Sequence, residues 1–174
     1  MMLRALLIVL LASLDLPAQV VQLSGACPPT GTYSMTSGNA PVAGTTLQLD
    51  TQFDEYHTGW PVPFVGLGVL LLGASDPGLI IPGCGCGLHA SMDVLLAQAM
   101  PTSITTYGGC TWQCFWSGHA LATFHISLPP GTAGFTFFAQ SAFIKPAPAV
   151  YGTSPCNLSG DLFWLSESYQ LTVQ

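Results

Sequence analysis

Gly134-Phe-Thr-Phe-Phe-Ala-Gln-Ser-Ala-Phe-Ile144 decides the fold class of this chain. Four phenylalanines, a threonine and an isoleucine suit a pleated, half-buried surface. The turn Pro129-Pro130-Gly131 precedes the run and Pro146 follows it, so it reads as one strand. Upstream of that turn, His119-Ala-Leu-Ala-Thr-Phe-His-Ile-Ser-Leu128 reads as a second strand. Thr45-Thr-Leu-Gln-Leu-Asp-Thr-Gln-Phe53 alternates apolar and polar residues, the period of a strand with one wet face. Val62 to Ala74 reads as a long apolar strand kinked by its glycines. Ser75-Asp-Pro-Gly78 is a turn, since proline presets φ and glycine tolerates positive φ. The short strand Leu79-Ile80-Ile81 follows, closed by Pro82-Gly83. Leu88 to Met100 carries a helical stripe at Met92, Leu95, Leu96 and Ala99, yet also fits a strand-loop-strand path, which we prefer. Asp54 to Trp60, Thr102 to Gly118 and Pro146 to Asn157 read as loops, and Leu162 to Val173 as one or two closing strands. The pattern predicts an all-β chain: an antiparallel β-sandwich, jelly-roll or Ig-like, of about seven or eight strands.

Ahead of these strands, Met1 to Leu14 pairs Arg4 with an apolar run from Ala5. Asp15 ends the run and Leu16-Pro17-Ala18 offers a small residue for cleavage. Residues 1–18 therefore read as a secretory signal, too short in its apolar part for a membrane span. Residues 19–174 are expected to form one domain. Its first part, 19–44, is rich in Gly, Pro, Ser and Thr and reads as an arm that ends in a first strand. Outside residues 1–18 the only basic side chain is Lys145, in a chain of formal net charge −6. Phosphate binding rests on Lys and Arg, so nucleic acid is excluded as a partner, and anionic membrane surfaces with it. Charged residues make up 6% of the chain while 49% is hydrophobic, which argues against disorder. The exposed surface must be built from Thr, Ser, Gln, Gly and Pro. Such a surface suits self-association, adhesion or the binding of neutral polymers.

Six cysteines behind an export signal imply disulfides: Cys27, Cys84, Cys86, Cys110, Cys114 and Cys156, with fifteen possible connectivities. Cys84-Gly85-Cys86 is a poor self-pair, because one intervening residue strains the bridge. A zinc site at Cys110, Cys114, His119 and His125 has too short a spacer between its Cys and His pairs for a zinc finger. Disulfides and no bound metal or cofactor are expected.

Several segments resemble an uncharacterised family of exported bacterial β-sandwich domains, found as small secreted proteins and as C-terminal modules of surface proteins. They are Gly25-Ala-Cys-Pro28, Val69-Leu-Leu-Leu-Gly-Ala-Ser75, Pro82-Gly-Cys-Gly-Cys-Gly-Leu-His-Ala-Ser-Met-Asp93, Gly134 to Gln140 after Leu128-Pro129, and Leu165-Ser166 with Leu171-Thr-Val173. Cys86 to Asp93 matches the family's Cys-x-Leu-x-x-Ser-x-Asp. The resemblance implies a secreted or cell-surface location and a Cys27–Cys86 bridge, leaving Cys110–Cys114 and Cys84–Cys156. It supplies no catalytic residue.

Enzymatic signals are thin. Gly-x-Ser-x-Gly and His-Glu-x-x-His are both absent. Asp54-Glu55-Tyr56-His57 gathers two carboxylates and an imidazole, but neighbours on a strand face opposite ways. His89, Ser91 and Asp93 have the residue types of a triad and would share a face if extended. The aromatics are a better lead. Trp60, Tyr107, Trp112, Phe115, Trp116 and Tyr151 all fall in predicted loops, where flat apolar rings can hold sugars or partner proteins. The alternative is a satellite core beneath those loops. Asn157-Leu158-Ser159 fits a glycosylation sequon in a host that uses one. The expectation is a non-catalytic secreted module, structural, adhesive or assembly-forming, with carbohydrate binding through Trp60, Tyr107, Trp112, Phe115 and Trp116 as the alternative.

Overall fold

The computed structural model describes residues 19–23, 31–58, 65–82, 84, 86–107, 115–145, 156–158 and 161–174. None of these residues is helical. They form twelve strands: β1 (Gln19–Leu23), β2 (Gly31–Ser37), β3 (Thr46–Thr58), β4 (Val65–Gly73), β5 (Leu79–Ile81), β6 (Cys86–Leu88), β7 (Val94–Pro101), β8 (Ser103–Tyr107), β9 (Phe115–Ser127), β10 (Thr136–Lys145), β11 (Cys156–Leu158) and β12 (Asp161–Thr172). All pairings among them are antiparallel. One sheet runs β1-β12-β10-β4-β7, with β11 also on β12; the second runs β2-β3-β9-β8; β5 and β6 form a small hairpin sheet.

The two larger sheets pack on a common core, a sandwich-like arrangement. Leu47, Leu49 and Phe53 from β3, Ala120, Ala122 and Phe124 from β9, and Tyr33 and Met35 from β2 meet Leu70, Phe137, Phe143, Trp164 and Leu171 of the other sheet. Phe53 stacks on Phe143 at 4.2 Å between ring centroids, and Trp164 stands edge-on to Phe53 at 5.0 Å. Tyr33 donates to the Ala142 carbonyl at 3.2 Å and bonds the Ser141 hydroxyl, linking the first sheet across the core to the second. Deep in the same core, Lys145 Nζ donates to both oxygens of Glu55 at 2.8 and 3.1 Å. That pair is almost fully buried.

A third layer covers the outer side of the larger sheet. Cys86 and Ala90 pack on Leu71, Ala142 and Leu165, with Ile81 and Leu88 beside them. Gln140 anchors this layer. Its amide donates to the Gly87 and Ser166 carbonyls, and its carbonyl accepts the His89 N–H. Cys84 and Cys86 are each engaged in a disulfide. Cys27, Cys110, Cys114 and the side chain of Cys156 lie outside the described residues, as do residues 1–18.

Several expectations need correction. There are more strands than seven or eight, because short edge strands such as β1, β8 and β11 are held by a longer neighbour and carry little periodicity of their own. The arm over 19–44, expected to end in one strand, holds two among its described residues: β1 pairs with β12 and β2 with β3. The polar run after Phe53 does not leave the sheet: β3 stays paired with β9 through Thr58. The stretch read as a loop over 102–118 contains β8 and the start of β9. Cys156 and Asn157, placed in a loop, belong to β11, which pairs with β12. Within β4 the glycines make no break. A Cβ on Gly66 would sit 2.2 Å from the Phe143 ring, and one on Gly68 2.5 Å from Met100 Sδ, so these glycines admit core side chains against the backbone. The preferred strand-loop-strand path over 88–100 needs no correction: β6 ends at Leu88 and β7 runs from Val94 to Pro101.

Candidate functional site

The outer face of the four-stranded sheet gathers the functional groups that the fold leaves in water. Inward positions of β3 are Leu47, Leu49, Thr51, Phe53 and Glu55, all buried. Alternation therefore turns Gln48, Asp50, Gln52, Asp54 and Tyr56 outward. The pairing register sets these opposite His125, Thr123, Leu121, His119 and Ser117 of β9, and sets Ser103 and Thr105 of β8 opposite His119 and Ser117.

Two features stand out on this face. The first is aromatic. Tyr56 is 73% exposed, Phe115 60% and Tyr107 54%. Tyr107 pairs with Phe115 across β8 and β9, and Tyr56 with Ser117 across β3 and β9, so all three rings occupy adjacent positions at one end of the face. The Tyr107 hydroxyl reaches Ser117 Oγ at 3.2 Å, which fixes its ring over the row. The second is polar. Asp54 Oδ1 lies 2.6 Å from His119 Nδ1, one pair further along the same two strands. Ser103 donates to the His119 carbonyl at 3.0 Å. Further on, Asp50 accepts from Thr123 at 2.7 Å and from the Gln48 amide. The result is a flat ladder of aromatic rings, then a carboxylate–imidazole pair, then hydroxyl and amide groups. Such a surface can stack a ring and hydrogen-bond its substituents.

The predicted aromatic residues divide among three outcomes. Tyr107 and Phe115 are exposed, but on strands and not in a loop. Trp116 is buried at 6% exposure, because strand alternation turns it opposite to Phe115, so it is withdrawn as a binding residue. Trp60, Trp112 and Tyr151 lie outside the described residues. Tyr56, Asp54 and His119 complete the row without having been proposed together. The signal was present in the alternation of residues 45–53, which continues to Tyr56. Glu55 at an inward position disguised it.

The chemical constellations come apart. Asp54 faces out while Glu55 is buried against Lys145, and the His57 side chain lies outside the described residues. His89, Ser91 and Asp93 lie between β6 and β7 and do not form one strand face. His89 Nδ1 sits 3.1 Å from both Asp76 oxygens, away from Ser91. Ser91 donates to Asp93 at 2.8 Å, and Asp93 accepts the Ala74 N–H at 2.8 Å. Hydrogen bonds from the Ala74 backbone and from Ser91 hold the Asp93 carboxyl below its ordinary value. Ser91 and Asp93 thus clip the ends of β4 and β7 together. Among the described residues no group of three or more His, Cys, Asp or Glu side chains could hold a metal.

Comparison with known proteins finds no matching family model, no matching curated protein and no matching solved structure.

Proposed function

We propose that this chain is an exported, non-catalytic contact module, and that the outer face of its four-stranded sheet holds a neutral polysaccharide. The observation that carries the reading is the exposed row Tyr56, Tyr107 and Phe115 beside the Asp54–His119 pair. Aromatic faces take the apolar side of a sugar ring, while carboxylate, imidazole and hydroxyl groups take its hydroxyls. Charge supports a neutral ligand: Lys145 is buried, so no Lys or Arg among the described residues reaches the surface. The triad-like residues are engaged in holding the fold, which favours contact over catalysis.

The strand order supports an Ig-like rather than a jelly-roll sandwich. Taking β2, β3, β4, β7, β8, β9, β10 and β12 as successive strands, one sheet has the order first, second, sixth, fifth, and the other eighth, seventh, third, fourth. That is the ABED and GFCC′ arrangement. Phe53 and Phe143 then occupy the two strands that an inter-sheet disulfide joins in antibody domains. The Cys27–Cys86, Cys84–Cys156 and Cys110–Cys114 pairings belong to this proposal, as does a secreted or cell-surface location.

The test is retention on a panel of insoluble neutral polysaccharides, read by pull-down. Tyr107→Ala with Phe115→Ala should lower retention at least tenfold with an unchanged circular dichroism spectrum. Tyr56→Ala should act in the same direction. Retention that survives the double substitution, or a panel that shows none while light scattering shows self-association, would move the reading to a structural, assembly-forming role.

A further inference from the structure

A pocket of about 290 Å³ opens at the end of the two-sheet body opposite the aromatic row. Phe115 starts β9, whereas Ile126, near its other end, lines the pocket. Eleven residue steps of strand separate them, roughly 36 Å. The floor is Leu72, Leu128, Phe137 and Val173, all members of the main core. The rim includes Val94 and Phe135, which stay 48% and 53% exposed. The surface inside is almost wholly apolar.

The connection from β9 to β10 shapes this opening. Thr132 N–H and Oγ both bond the Pro129 carbonyl, and Phe135 N–H bonds Thr132 O. Phe135 O accepts from Val173, and Val173 O accepts from Gly134. The turn is therefore tied to Val173, just past the end of β12. Thr132, the one hydroxyl residue of the lining, already donates to the backbone.

An apolar hollow gives water no partners, since an ordered water needs two to four polar contacts. An engineered apolar cavity of about 150 Å³ already takes up benzene. This one is larger, its floor continues the core, and its mouth is open. An alkyl chain can enter while its head stays in water. Asp93 is the one charged residue of the lining, and Ala74 N–H and Ser91 O–H hold its carboxylate in place. An anionic head would meet that charge on a chain of net charge −6. We propose that this pocket is a binding site for the aliphatic tail of a single-chain amphiphile whose head group is neutral or cationic.

The proposal is independent of the polysaccharide reading, and a simple series tests it. Binding of 1-hexanol, 1-octanol, octylammonium and octanoate is followed by methyl NMR of Leu72, Leu128 and Val173 and by calorimetry. Affinity should rise roughly fourfold for each added methylene. Octylammonium should bind at least tenfold tighter than octanoate, and Asp93→Asn should narrow that gap while octanol binding stays. Val94→Trp, at a half-exposed rim position, should block the tail and leave the fold intact by circular dichroism. Tyr107→Ala with Phe115→Ala should leave octanol binding unchanged. Octanoate binding as well as octylammonium, no dependence on chain length, or no methyl shift in the unaltered protein would overturn the proposal. The NMR titration decides the matter even if Val94→Trp does not fold.

Discussion

Lys145 shows how burial changes what a residue means. Its ammonium lies inside, held by both oxygens of Glu55. Breaking a buried pair leaves one charge without its counter-ion, which costs about 3–5 kcal/mol. Glu55→Gln and Lys145→Met should each lower the free energy of unfolding by that order. The double replacement Glu55→Leu with Lys145→Met should recover much of the loss, as urea titration would show. Tyr33 is the second case. Burial, opposed by hydrogen bonds to Ser141 and Thr51, pushes its hydroxyl from 10.0 up to about 12. The folded value lies above the unfolded one, so the stabilisation is complete below pH 10 and is lost as the pH rises through about 12. Two pKa units correspond to roughly 3 kcal/mol. Stability should fall over that window, and Tyr33→Phe should remove most of the fall at the cost of about 1 kcal/mol for its hydrogen bond at neutral pH.

At the scale of elements, β4 depends on two missing side chains. Phe143 and Met100 occupy the space that a Cβ at Gly66 or Gly68 would need. Overpacking of this kind costs about 1–3 kcal/mol. Gly66→Ala should therefore lower the free energy of unfolding in urea by that order, and Phe143→Leu in the same chain should soften the effect. The closure of the ends of β4 and β7 depends on Asp93. Its folded value is lowered by the Ala74 and Ser91 hydrogen bonds, so the clip is present above the ordinary value of 3.8 and is lost as the pH falls through the lower folded value. Hydrogen exchange at the Ala74 amide should accelerate over that acid range, and Asp93→Ala should bring the acceleration to neutral pH.

For the whole molecule, the surface that reaches water carries acids and histidines but no Lys or Arg among the described residues. The chain from Gln19 onward should therefore pass through a heparin column at neutral pH even at low salt, where phosphate- and sulfate-binding proteins are held most strongly. Retention there would contradict both the charge argument and the choice of a neutral polymer. The two open ends of the body would then carry separate tasks. One end places rings beside the Asp54–His119 pair, and the other opens the core to an alkyl tail.

The sequence by itself determined that this chain is all-β. Alternation at Thr45 to Phe53 and the phenylalanine-rich run at 134–144 are local signals, and a strand's period of two shows wherever one face is wet. It limited the basic side chains beyond residue 18 to Lys145 as well, because composition alone decides which charges exist. Strand pairing required the tertiary structure, since β1, β8 and β11 are strands only through the neighbour that satisfies their backbone. So did the fate of single residues. Glu55 reads as a loop acid until Lys145 arrives from ninety residues away in the chain. Trp116 reads as a binding residue until the register of β9 turns it inward and leaves Phe115 outside. Tyr56, Tyr107 and Phe115 come from three strands, and only hydrogen-bonded pairing between distant segments sets them side by side. The apolar pocket has the same origin, because its floor is shared by the ends of strands that no sequence window contains together.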